Sequence, residues 1–331
     1  MKKLIVLFLM ALVCASCKKE KQQQVELIKL TGPIFGTGFN IQYYSEDDIN
    51  YQKQFDSLFN VINISMSTYI SDSDISKFNR NEAVEVDEHF RTVFKTSKKI
   101  FKETKGIFDP TIGNVVNAWN FGPDKDKFLT DSTTISSLME NVGFDKIIML
   151  ENKFIRPDHA YLDFNAIAKG YGIDVIANFL ESMGVRNYLV DIGGDMRTSG
   201  KNIEKNKGWT VGIDDPNFDG SVSYSKVITL SNKGMATSGT YRKFKTDNNG
   251  DRYAHIIDTK TGYPTKTNVL SVSVIAPTCM LADGYATAFQ AMGVKETTQF
   301  LKTHPELKVY FIYEGDNKNL IVLSLNNFPE L

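Results

Sequence analysis

The period of the apolar positions changes several times along this chain, and each change marks an element. Ile28 to Ser45 reads as a strand pair broken around Phe35-Gly36-Thr37-Gly38. From Asp47 to Ser65 the spacing turns helical, through Ile49, Phe55, Leu58, Phe59 and Ile62. His89 to Thr104 predicts a second helix on Phe90, Val93, Phe94 and Phe101, and Ser132 to Val142 a short third one. Tyr161 to Phe164 reads as a short strand. Ile167 to Met183 predicts an amphipathic helix, with Ile167, Tyr171, Ile176, Phe179, Leu180 and Met183 near one face and Gly184 closing it. Strands are expected over Tyr188–Ile192, Trp209–Ile213, Val222–Leu230, Arg252–Ile257 and Val269–Ile275. Met280 to Lys302 predicts a long helix. A final hairpin pairs Val309–Tyr313 with Leu320–Leu323 around Glu314-Gly315-Asp316-Asn317. Strands come in runs with few helices between them. That favours an α+β fold of mixed sheets packed with helices over a doubly wound α/β sheet.

The first residues follow a different logic. Met1-Lys2-Lys3 is basic, Leu4 to Val13 is uninterrupted apolar sequence, and Ala15-Ser16 are small. This is the layout of a bacterial export signal. The apolar run is well under the roughly 20 residues that span a bilayer as a helix. Residues 1–16 are therefore read as a signal peptide. Cys17 directly after the small residues resembles the lipidated cysteine of a lipoprotein box, the alternative being a plain secretory signal. Lys18 to Gln24 is charged and lacks apolar residues, so residues 17–26 read as a lipidated cysteine and flexible tether. Residues 27–331 form the folded domain. The expected location is the bacterial cell envelope, lipid-anchored and facing the periplasm.

Charge and composition narrow the function. The net charge is -1, with no basic stripe beyond the tether, which argues against nucleic acid as a partner. Four histidines without cysteine clusters argue against a structural zinc site. Cys279 is the one cysteine outside the signal region and reads as a buried structural thiol.

Four segments carry candidate chemistry. In Leu162-Asp163-Phe164-Asn165-Ala166-Ile167-Ala168-Lys169-Gly170 an acid ends a strand, Asn165 is placed to cap a helix, and Lys169 lies in its first turns. A helix N-terminus with a lysine suits phosphate; a plain cap with a solvated lysine is the other reading. Gly193-Gly194, in Asp191-Ile192-Gly193-Gly194-Asp195, fits either a turn or close approach to a ligand, and no dinucleotide fingerprint is present. His255 and Asp258 bracket Ile256-Ile257 ahead of the turn Thr261-Gly262-Tyr263-Pro264. A histidine near a carboxylate suits a general base, or is simply satisfied by the turn backbone. Asp283 and Thr287 stand four apart on one helix face, two hard oxygens for a cation such as magnesium, or else a cap and a core hydroxyl. Together these support a phosphate-handling site with an oxygen-ligated metal.

These segments, with others, resemble in order the ApbE-type FAD:protein FMN transferases. Met66-Ser67-Thr68-Tyr69 with Ser73 to Asn79, and Phe108 to Gly113 with Val116 to Gly122, are similar to the family's first two blocks. Leu162 to Gly200, Thr237 to Tyr241, His255 to Pro264 and Ala282 to Thr287 are similar to the rest, so the resemblance covers roughly residues 30–325. It implies a two-lobed fold with FAD in a central cleft. Flavin contacts are implied from Phe35, Tyr69, Ala118, Trp119, Asn120, Asp163, Lys169, Ile256 and Ile257. Magnesium is implied on the Ala166 carbonyl, Asp283 and Thr287. The implied reaction moves FMN from FAD, the substrate, to a Thr or Ser hydroxyl of exported or membrane-bound redox proteins and releases AMP. His255 is the expected base, with Asp258 as orienter or alternative. A magnesium-dependent FAD pyrophosphatase and a non-catalytic flavin-binding lipoprotein are the competing expectations.

Overall fold

The computed structural model describes residues 25–46, 48–123, 129–151, 153–217, 219, 221, 223–241, 244–246 and 252–330. The predicted signal peptide and Cys17 lie outside these residues. Strands β1 (Glu26–Ile34) and β2 (Thr37–Ser45) form the expected opening hairpin. Phe35 and Gly36 close it, both with positive φ (49° and 72°), as a two-residue turn matching the strand twist requires. Helix α1 covers Gln52–Met66. It starts later than its apolar pattern because Asp48 is left-handed (φ 50°) and breaks the helix there. Short α2 (Asp74–Asn79) is capped by Ser73, and α3 (Glu88–Glu103) by Asp87, whose carboxylate accepts from Phe90 N–H.

Helices α4 (Gly113–Ala118) and α5 (Ser132–Met139) come next, then the small hairpin of β3 (Ile148–Leu150) and β4 (Lys153–Ile155). Helix α6 covers Ala168–Ser182, and Gly184 ends it in a left-handed conformation (φ 81°). The hairpin β5 (Tyr188–Ile192) and β6 (Asp195–Ser199) turns on Gly193 and Gly194 (φ 60° and 90°), so these glycines make a turn. β7 (Trp209–Asp214) pairs β8 (Tyr224–Leu230), β9 is Lys233–Gly239, and β10 (Phe244–Thr246) pairs β11 (Arg252–Ala254). β12 (Val269–Ala276), α7 (Cys279–Phe300), β13 (Lys308–Glu314) and β14 (Leu320–Leu325) complete the chain.

Eight strands make one antiparallel sheet in the order β1-β2-β5-β6-β9-β12-β13-β14. The strand period of two divides its side chains between two cores. Phe39, Ile41, Tyr43, Tyr188, Val190, Val272, Val274 and Phe311 face the helices, where α1 and α6 cover one end and α7 lies across β9 and β12. Tyr44, Leu189, Met196, Met235, Tyr310 and Ile312 face the other way, under the β7–β8 ribbon with Trp209, Val211 and Ile228. The architecture is α+β, as the run of strands predicts. Val115, Ala118, Ile135 and Ile257 make a small separate core for a lobe of α4, α5 and the segment after β11.

Tyr161–Phe164 is not a strand. The Asn79 side chain takes both Leu162 backbone groups (2.8 Å to N–H, 2.9 Å to C=O), and Asp163 N–H donates to the Pro110 carbonyl at 2.9 Å. With those groups satisfied, no ladder forms. Asn165 does not cap α6 either: Ile167 holds that position, and Asn165 Nδ2 donates to Thr68 Oγ1 at 3.3 Å. The strand expected over Arg252–Ile257 stops at Ala254, and α7 is interrupted at Gly293 (φ 73°, ψ 178°).

Candidate active site

The start of α6 meets the start of α7, and Gly170 sets how closely. A Cβ on Gly170 would run into the Cys279 carbonyl and stand 2.8 Å from Asp283 Cβ. Without one, Gly170 N–H donates directly to Asp283 Oδ2 at 2.9 Å. One residue earlier, Lys169 Nζ pairs with Asp195 Oδ2 at 2.7 Å, and Asp195 Oδ1 accepts from Thr237 N–H at 3.0 Å. Thr287 follows Asp283 by one turn, its hydroxyl 3.4 Å from Ser238 Oγ. Lys169, a candidate from its place at a helix start, and Asp283 and Thr287, candidates from their spacing, thus converge on one place with β6 and β9. Ala166 lies in the turn just before α6, where Ile167 and Ala168 N–H both donate to the Phe164 carbonyl. Asp195 and Thr237 also line a cavity of about 280 Å³ with Asp191, Asp214, Tyr224 and Tyr241.

Burial pushes the Asp283 carboxyl up to about 7, and the nearby Asp195 carboxylate adds to it, while Lys169 pulls the other way. Burial alone would lower the Lys169 ammonium; Asp195 and Asp283 outweigh it and hold the group above its ordinary value. The site therefore holds one cation fixed by the Asp195 carboxylate, with the buried Asp283 carboxyl acting on it electrostatically.

Asp174, on α6, anchors this arrangement. Its carboxylate accepts from Cys279 N–H (3.0 Å) and Met280 N–H (2.8 Å), the first amides of α7, and from Arg197 Nη1 at 3.0 Å. Arg197 also reaches Glu181 at 3.2 Å. The reading from sequence missed Asp174 and Arg197. The signal was an aspartate in an otherwise apolar helix stretch, Gly172-Ile173-Asp174-Val175-Ile176.

A second set of residues borders the α6 entrance. Asp163 Oδ1 accepts from Asn165 N–H at 2.7 Å, and the Asn165–Thr68 bond ties this turn to Tyr69. Tyr69 is 61% exposed, an aromatic ring offered to solvent beside Asp163. Phe35, at the hairpin tip, instead packs edge-on against Phe59 (5.6 Å) and closes on Gly172 of α6.

The small lobe holds the rest. Trp119 Nε1 donates to the Gly262 carbonyl at 2.9 Å, and its ring lies 5.7 Å from both Tyr253 and Tyr263. Asn120 is left-handed (φ 59°), a conformation asparagine tolerates, and its carbonyl accepts from Lys245 Nζ at 2.8 Å. Ala118 and Ile257 share the lobe's core, and Ile256 C=O accepts from Thr265 N–H at 2.9 Å. The His255 ring stands 6.2 Å from Phe121. Asp258 Oδ1 accepts from the backbone N–H groups of Lys260 (2.7 Å) and Thr261 (3.1 Å), so this oxygen builds the turn. Gly113, opening α4, closes on Tyr161 and on Asp163 Cβ (2.7 Å), which fixes the lobe to the α6 entrance.

The ApbE family model matches residues 35–311. This chain belongs to the ApbE family. It is 37% identical to the FAD:protein FMN transferase of Haemophilus influenzae, over all of this chain and 99% of that one. It is 35% identical to that of Vibrio cholerae over 85% of each. The solved flavin transferase ApbE from Vibrio cholerae superposes with a TM-score of 0.82 at 32% identity, covering 91% of this chain and 97% of that one. The flavinyl transferase ApbE of Pseudomonas stutzeri, in its apo form, gives 0.82 at 26% identity, covering 91% and 95%. As an ApbE member the protein is a transferase.

Proposed function

We propose that this protein transfers FMN from FAD to a Thr or Ser hydroxyl of acceptor proteins, with magnesium, releasing AMP. The observation that carries this reading is the meeting of Lys169, Asp195, Asp283 and Thr287 where α6 opens toward α7. A fixed ammonium beside a helix start suits the diphosphate of a dinucleotide. The donor set also fits a hard cation: a carboxylate whose charge is disfavoured by burial and by Asp195, with a hydroxyl one turn away. Asp283, Thr287 and the Ala166 carbonyl would hold magnesium, which neutralises diphosphate charge when bound.

The chain's own residues do the remaining work. Lys169 binds the diphosphate, and Asp195 aims Lys169. Tyr69, with its ring in solvent, stacks on an aromatic ring of FAD. That retains the dinucleotide for an acceptor, and favours transfer over hydrolysis. His255 takes the acceptor proton as the hydroxyl oxygen attacks the FMN-side phosphorus. The new P–O bond forms as the bridging P–O bond breaks, and AMP leaves with the bridging oxygen. The relatives named as FAD:protein FMN transferases support this assignment.

The leader sequence carries the location: a lipid on Cys17 would hold the enzyme at the periplasmic side of the envelope, near exported or membrane-bound redox acceptors. The decisive experiment mixes the protein with FAD, magnesium and a domain carrying an acceptor threonine. Flavin fluorescence on the denatured acceptor with matching AMP, lost on chelation and in Asp283→Ala, is expected. AMP with free FMN and no labelled acceptor would make the protein a pyrophosphatase, and bound FAD with neither product a carrier.

A further inference from the structure

The β3–β4 hairpin has two unlike faces. Met149 and Phe154 are cross-strand partners that turn inward, with the Phe154 ring 4.9 Å from Phe78 and 5.8 Å from Phe90. The period of two then forces Ile148, Leu150 and Ile155 outward. They are 49%, 53% and 56% exposed. Ile148 and Ile155 are direct partners, and Leu150 is paired with Lys153, so the three aliphatic side chains form one continuous patch with a lysine in it.

Helix α3 borders this patch with positive charge. Arg91 Nη1 reaches the Glu151 carbonyl at 3.5 Å, and Lys98 Nζ donates to the carbonyls of Phe144 and, at 3.0 Å, Ile147, directly before β3. Arg91, Lys95, Lys98 and Lys102 recur at steps of four, three and four, which places them on one stripe. The contacts of Arg91 and Lys98 turn that stripe toward the hairpin. Glu88 pairs with Arg91 at 3.3 Å and Glu103 lies 4.0 Å from Lys99, so Lys95 and Lys102 are the exposed cations of the stripe. With Lys153 they set three exposed lysines around the exposed aliphatics, against one acid, Glu151, in the hairpin turn.

We propose that this face seats on an anionic lipid bilayer, with Ile148, Leu150 and Ile155 entering the headgroup region and the exposed Lys95, Lys102 and Lys153 facing lipid phosphates. Three aliphatic residues fall well short of the about 800 Å² per partner that a stable protein interface buries. The patch also lacks the aromatic anchors of such interfaces and carries the lysines they exclude. Lysine stems lie along apolar surface while their charges stay in water, which suits a lipid interface. The inference is independent of the transfer reaction and of any lipid on Cys17, since the patch belongs to the folded domain.

The test reads position, not activity. The full chain carrying C14S and C17S receives an environment-sensitive dye through L150C or, as reference, through K205C on the exposed loop between β6 and β7. Buried Cys279 stays unlabelled. Vesicles of phosphatidylglycerol and phosphatidylethanolamine should blue-shift the dye at position 150 and raise its emission several-fold. Pure phosphatidylcholine should not, and the dye at position 205 should stay unchanged. Adding K95E and K102E, or high salt, should abolish the response. No response on either vesicle, or an equal response at both positions, overturns the proposal. A response to soluble polyglutamate as large as that to vesicles also overturns it, and assigns the face to an acidic protein partner.

Discussion

Burial raises the Asp283 carboxyl to about 7, so the native state keeps this proton at pH values where an unfolded carboxylate has lost it. The folded form then binds more protons than the unfolded form between the ordinary carboxylate range and about 7. Stability of the metal-free protein falls as pH rises through that interval and levels off above it. Denaturant unfolding in chelator across pH should show this fall, and Asp283→Asn should flatten it. An unchanged slope in the variant would place the titration elsewhere. The two lobe residues separate in the same way. His255→Ala should lower transfer by about 10²–10⁴-fold, the range of a lost general base. Asp258→Asn should keep most activity, because an amide oxygen still accepts from Lys260 and Thr261; a loss equal to that of His255→Ala would make Asp258 part of the proton path. At this scale Lys169, Asp283 and Thr287 were candidates in the sequence beside a plain cap, a core hydroxyl and a solvated lysine, and the ion pair of Lys169 with Asp195 removes the last of these. Asp195 as the partner of Lys169 and Asp174 as the anchor were not legible, because a buried acid's partner is decided by chain segments remote in sequence.

The crossing of α6 and α7 depends on two devices, a missing side chain and a buried cap. Gly170→Ala places a methyl group against the Cys279 carbonyl and should destabilise the protein by about 1–3 kcal/mol. Asp174→Ala strands two α7 amides and leaves Arg197 with Glu181 as its remaining carboxylate, and should lose about 2–4 kcal/mol. Thermal or denaturant unfolding checks both, and on the proposed function magnesium-dependent transfer should weaken in each as the helices separate. Helices α1 and α3 were legible because their apolar periods are strong, whereas α7 is buried on most sides and was marked by its length. β9 was not legible, since Lys233-Gly234-Met235-Ala236-Thr237-Ser238-Gly239 is poor in large apolar residues. Small residues are needed there because a side chain at Gly234 would run into Thr278 and Cys279 at the head of α7. Tyr161–Phe164 failed as a strand for the opposite reason: its composition suits one, but Asn79 and Pro110 occupy its backbone.

The molecule as a whole is unevenly held. The main sheet has a large buried core on each face, whereas among the described residues the lobe bearing Trp119, Asn120 and His255 closes over four buried ones. Local opening free energy follows buried apolar contact. Hydrogen exchange should therefore be faster in α4, α5 and residues 255–264 than in β5 and β12, and FAD should slow it there more than elsewhere. Uniform exchange across lobe and sheet would contradict this. The α+β class and the order of the segments were evident from the pattern alone. The division of the interior into unequal cores was not, because it depends on which strand face each helix covers.

Cys279 is fully buried between Gly170 and Gly234, where a Cβ on either glycine would run into its backbone, and its thiol is pushed well up by burial. A thiol in that state resists alkylation until its surroundings come apart. In the chain lacking the two leader cysteines, the rate at which an excess of thiol reagent modifies Cys279 becomes a clock for global unfolding, built into the native sequence and readable in the presence or absence of FAD and magnesium.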